Sequence, residues 1–71
     1  MLTRIIRAMK KESPTPEQIR QARNNKGMTQ TEAAALVYAP MRTWQDWEGA
    51  KTKMHPAIFE LFLIKTHQHL R

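Results

Sequence analysis

The stretch from Met28 to Glu48 reads as two short helices meeting at a tight turn. Thr29-Gln30-Thr31-Glu32 is a capping box: the Thr29 hydroxyl accepts a backbone N–H from the first turn, and Glu32 reaches back to the Thr29 N–H. A helix therefore begins at Gln30, and its apolar positions carry it to about Val37. Pro40 has no N–H to give to a preceding turn and opens the next helix. In that helix Trp44 and Trp47 share one face, and Met41, Arg42 and Gln45 share the other. Three or four residues are left for the turn between them.

The flanking segments supply supporting elements of similar size. Thr15-Pro16-Glu17-Gln18 is a second capping box with proline at the first helical position, so a helix starts there with Ile19 and Ala22 facing inward. Gly27 suits the left-handed position just past its end. Gly49 and Ala50 end the helix of the two tryptophans, Lys51 to His55 form a basic loop, and Pro56 starts a further helix through about Thr66. In this last helix Ile58, Leu61 and Phe62 form one apolar stripe. Phe59 and Leu63 form another, and Ile64 lies off both. A helix apolar on more than one face needs more than one partner, so Phe59 and Leu63 are expected to face a second copy about a two-fold axis. Residues 67–71 are expected to fray.

Residues 1–14 read as a separate arm and linker, 15–66 as the domain. Leu2, Ile5, Ile6 and Met9 recur at helical spacing with Arg4, Arg7, Lys10 and Lys11 opposite, and Ser13-Pro14-Thr15-Pro16 then enforces an extended join. Arg4 and Arg7 interrupt any secretory signal core. Met9 offers a second translation start. The arm's target is left open among DNA, a protein partner and its own core.

Composition narrows the function classes. The chain has 71 residues and no cysteine, which excludes disulfides, thiolate metal sites and a cysteine nucleophile and suits a reducing cytoplasm. Its longest apolar run, Ala33 to Ala39, is far below the ~18 residues a membrane span requires. His55, His67 and His69 are too scattered for a metal site, and no cofactor is expected. Asp46 is the sole aspartate and Ser13 the sole serine, so neither a carboxylate dyad nor a nucleophile presents itself and catalysis is not expected. The net charge of +6 draws a small domain to polyanions. Residues 16–66 nevertheless hold seven bases against five acids, and much of the excess sits in the arm.

Two short helices about a tight turn are the layout of the helix-turn-helix, in which the second helix enters the DNA major groove. With Trp44 and Trp47 as its anchored face, Met41, Arg42, Gln45 and Asp46 point outward. Arg42 suits guanine O6 and N7, Gln45 suits adenine N6 and N7, and Met41 suits a thymine methyl.

Residues 16–66 resemble the Cro/CI-type (XRE-type) helix-turn-helix family through Arg23, Gly27-Met28-Thr29-Gln30, Glu32-Ala33-Ala34, Trp47-Glu48 and Lys51-Thr52-Lys53. Arg42-Thr43-Trp44-Gln45 with Trp47-Glu48 is further similar to small phage regulators encoded beside anti-CRISPR genes. The resemblance implies an all-α, lambda-repressor-like bundle of four or five short helices. It also implies a homodimeric repressor that binds an inverted repeat in double-stranded DNA, in its own operon. By the same resemblance Gln30, with Thr29 before it, would bond a phosphate; Thr43, Lys51, Thr52 and Lys53 would follow the backbone; Met41, Arg42 and Gln45 would read bases. Arg23 and Glu48 would form a partly buried structural ion pair. The alternative is an antitoxin whose arm holds a toxin.

Three departures from the family pattern stand out. Tyr38 occupies the turn position usual for glycine, so either the turn differs or Tyr38 is strained. Pro40 can shift the helix start, which leaves Pro40, Met41 and Arg42 competing as the leading base contact. Ala33 stands where leucine is usual and Trp44 where isoleucine is usual, a volume exchange within one core.

Overall fold

The computed structural model describes residues 12–68; the amphipathic pattern over residues 1–11 and the tail over 69–71 lie outside the described residues. Four helices, α1 (Pro16–Asn25), α2 (Gln30–Leu36), α3 (Met41–Glu48) and α4 (Pro56–Lys65), make an all-α bundle with no strand among the described residues. None of these helices is long and apolar enough to cross a membrane.

The starts follow from local chemistry. Thr15 and Thr29 each form a complete capping box, with Gln18 and Glu32 as the reciprocal partners. His55 caps α4 through Nδ1, which accepts the Ala57 N–H at 3.0 Å. Pro40 does not open α3 as a helical residue: its ψ of 153° is extended, its side chain makes no capping bond, and the helix begins at Met41.

All four helices end in the same way. The residue after the cap turns left-handed, at Gly27, Tyr38, Ala50 and His67, with φ between 60° and 64°. The N–H of the next residue then reaches back to a carbonyl of the last turn: Met28 to Arg23, Ala39 to Ala34, Lys51 to Asp46 and Gln68 to Leu63, at 3.2, 2.9, 2.9 and 2.8 Å. This decides the question at Tyr38 in favour of strain. The Lys65 ammonium supports it, donating to the Tyr38 hydroxyl and to the Leu36 carbonyl at 2.9 Å each and lying 4.2 Å from the ring centroid. Just past α4 the Gln68 side chain bonds the Ala22 carbonyl and the Thr66 hydroxyl.

Ala50 has no such support; the adjacent Gly49, at φ −93°, is not left-handed, and its missing side chain serves instead to spare the Gln45 carbonyl oxygen, which a Cβ would approach to 3.1 Å. Ala50→Gly relieves a left-handed cost of roughly 1–2 kcal/mol, offset in part by about 0.5–1 kcal/mol of glycine backbone entropy. The variant is expected to melt a few degrees higher, whereas Tyr38→Gly, which discards the Lys65 contacts, gains less. Thermal unfolding of both variants checks the order.

The core is built on two fully buried aromatic side chains, Trp44 and Phe62, with ring centroids 5.1 Å apart; Trp47 meets Trp44 edge-on at 5.7 Å. Ile19, Ala22, Ala33, Ala34 and Val37 complete it from α1 and α2, and Met54 enters from the loop before α4. Ala33 and Trp44 are both fully buried, as a volume exchange demands.

In α4 the structure corrects the expected division into stripes. Phe62 and Leu63 are both buried within this one chain, Ile58, Phe59 and Leu61 are half-buried beside them, and Ile64 is exposed. Leu63, 6% exposed, is therefore a core residue rather than a face open to a second copy. The inward face is broader than a single stripe: Phe62 packs on Trp44, and Leu63 beside it is buried as well.

Candidate nucleic-acid interface

The anchored face of α3 fixes its outward one. With Trp44 and Trp47 buried, Met41, Arg42 and Gln45 are exposed, and Thr43 and Asp46 are half-buried at the margins. Pro40 is exposed just before the helix. The Thr31 hydroxyl of α2 donates to the Met41 sulfur, which ties the first turn of α3 to its neighbour. Arg42 Nε lies 3.6 Å from Asp46 Oδ1, one turn along α3. With the Arg42 side chain 76% exposed, that pair orients the guanidinium without holding it firmly. Lys51, Thr52 and Lys53 follow as an exposed run directly after α3.

Beneath this face lies a carboxylate with an unusually full set of partners. Glu48, at the last turn of α3, is 5% exposed in its side chain. Arg23 of α1 grips it with two parallel bonds, Nε to Oε2 at 2.6 Å and Nη2 to Oε1 at 3.0 Å. Arg23 also donates to the Met28 carbonyl at 3.0 Å. The Trp44 indole N–H donates to Oε2, and the Gln30 amide donates to Oε1 at 3.2 Å. Burial alone would raise the Glu48 carboxyl; the bonds from Arg23, Trp44 and Gln30 outweigh it and hold the group below the ordinary glutamate range. The same Glu48 hydrogen bond raises the Arg23 guanidinium against the effect of its burial. No buried side-chain polar atom among the described residues is left without a partner.

Arg20 belongs to no motif in the sequence, yet it joins this cluster. Its guanidinium donates to the Glu48 carbonyl at 3.3 Å and approaches the carboxylate at 3.7 Å. The available signal was its spacing, three residues before Arg23 on the same face of α1. Arg20, Arg23, Thr29, Gln30, Gln45, Glu48 and Gly49 together line a shallow groove where α1, the start of α2 and the end of α3 meet. Thr29 is exposed at its rim. The structure thus joins Arg23, Glu48, Gln30 and Gln45 in one hydrogen-bonded cluster, while Met41 and Arg42 stand on α3 outside it. Phe59 and Leu63 belong to α4, away from this cluster's bonds. Among the described residues no three histidine or acidic side chains gather as a metal site would need.

No family model matches the chain. Fifty of its residues, 70% of its length, align at 39% identity with the type II methyltransferase M.MspI of Moraxella sp. The chain spans 12% of the length of that protein.

Proposed function

We propose that this chain is a sequence-specific binder of double-stranded DNA of the XRE helix-turn-helix kind, acting as a homodimeric repressor on an inverted repeat, by the resemblance in its own operon. The observation that carries the reading is the division of α3: one face is locked by two buried tryptophans and a buried carboxylate, and the opposite face offers Met41, Arg42 and Gln45 to solvent. A major groove admits one helix and distinguishes bases through such side chains. In this reading Thr29 and Gln30 on one side and Thr43, Lys51, Thr52 and Lys53 on the other follow the phosphates. Asp46 acts on the bases through Arg42, and Pro40 sets where α3 starts. The likeness to a short segment of a far longer protein supports a portable binding module.

Selection from random duplexes at about 0.15 M salt is the direct test, because weaker screening inflates non-specific binding. The expected result is an enriched palindrome; recovery of unenriched sequence at comparable affinity overturns the proposal. For the dimer, the exposed Ile64 replaces the buried Leu63 as the informative position. Sedimentation equilibrium is expected to show a wild-type dimer and an Ile64→Glu monomer, and a wild-type monomer at tens of micromolar removes the dimer.

A second reading is favoured by the shared segment: the module serves a methyltransferase, as part of one or as the regulator of its gene. Selected sites lying before a methyltransferase gene support it.

A further inference from the structure

Gln30 and Gln45 carry amides whose two ends differ, and the cluster around Glu48 leaves each a single way round. An ionised carboxylate only accepts. Facing Glu48 Oε1, Gln30 must present its nitrogen, as it does at 3.2 Å. The planar amide then turns its oxygen toward α3, where Gln45 Nε2 donates to Gln30 Oε1 at 3.4 Å. That oxygen also only accepts, so Gln45 in turn must present nitrogen. One Gln45 N–H is thereby spent, and the exposed remainder is one acceptor, Oε1, beside one donor, the second N–H.

We infer that Gln30 is a positioning residue that transmits the polarity of Glu48 to the Gln45 amide, so that α3 selects adenine over guanine at the base Gln45 meets. This rests on the DNA-reading proposal above. Adenine offers N7 as acceptor and N6–H as donor in the major groove, which matches the pair Gln45 is left with; guanine offers two acceptors, O6 and N7, and sets O6 against Oε1. An amide free to turn over could instead direct both N–H groups at guanine. The buried ion pair of α1 and α3 thus sets base preference through two intervening side chains, and Arg23, which holds the carboxylate, stands at its origin. Gln30 retains a second N–H for a phosphate.

The test is base preference in wild type, Gln45→Ala and Gln30→Met, the last of similar length but without polar groups. At the position that Gln45→Ala levels, wild type is expected to favour adenine over guanine by roughly 5- to 150-fold, and Gln30→Met, in which the freed Gln45 amide keeps only the intrinsic preference of glutamine, to lower that ratio by about threefold or more. Gln30→Met with the wild-type ratio overturns the relay while leaving DNA reading intact. A wild type that enriches no sequence overturns both. An independent readout needs no DNA: in the free protein the Gln45 side-chain amide protons are expected to exchange more slowly with solvent than those of exposed Gln21, and to lose that protection in Gln30→Met. Equal exchange of Gln45 in the two proteins also overturns the relay.

Discussion

Glu48→Ala is expected to destabilise the fold by about 3–5 kcal/mol, the cost of removing one member of a buried ion pair. For a chain of this length, whose whole stability is of the order of 4–10 kcal/mol, that leaves a large unfolded fraction. The substitution strands the Arg23 guanidinium, 16% exposed, and deprives the Trp44 indole N–H of its acceptor inside the core. Arg20 cannot compensate, because it carries the same charge as Arg23. Glu48→Gln keeps the shape and an acceptor for Trp44, so it should cost less. The two variants also separate in acid. The Glu48 carboxyl is held below its ordinary value in the folded chain, so its contribution is complete above about pH 4.3, the unfolded glutamate value. It is lost as pH falls through the lower folded value. Urea midpoints measured from neutral pH into this acid range should therefore fall more steeply for wild type than for Glu48→Gln. Parallel curves exclude Glu48 as a source of acid sensitivity.

That carboxylate also marks the boundary of what the sequence conveys. The two capping boxes and Gly27 are local signals, each complete within four residues or fewer, and the helices start and stop where those signals lie. The core of α1 to α3 was legible for the same reason: Ile19, Ala22, Ala33, Ala34, Val37, Trp44 and Trp47 recur at helical spacing on otherwise polar segments. In α4 apolar residues occur all round the helix, so spacing does not say which row faces inward, and Leu63, expected to face outward, is buried. Met54 stands alone in a basic loop, where no periodicity exists to mark it, yet it is fully buried. Arg20 and the Gln30–Gln45 bond depend on distances between separate helices, which spacing along the chain does not contain. Tyr38 shows an intermediate case. Its strained turn could be posed as a question from sequence, but Lys65, its support, lies 27 residues away.

Arg42→Ala is expected to remove discrimination at one base position in each half-site and to weaken the selected site by about 1–3 kcal/mol per contact, roughly 5- to 150-fold. Arg42 is an exposed guanidinium on the face of α3 opposite the buried tryptophans, the face that would enter the groove in the proposed complex, and a planar fork of donors matches the two acceptors of guanine. Arg42→Lys keeps the charge but not the fork, so it should lose the base preference while retaining most non-specific affinity. Lys53→Ala provides the contrast. It lies in the exposed run after α3, where in the proposed complex a cation would meet phosphate whatever the sequence, so the substitution should weaken all duplexes about equally and reduce the slope of log K against log salt by ~0.9. The Arg42–Asp46 pair adds a finer expectation. Asp46→Ala frees the guanidinium from its 3.6 Å neighbour, raising affinity for unrelated duplexes through the lost negative charge while narrowing the margin for the selected one. Site selection with Arg42→Ala that returns the unchanged consensus would show that α3 is not read at this position, and the base-contacting role would then pass to Met41 and Gln45.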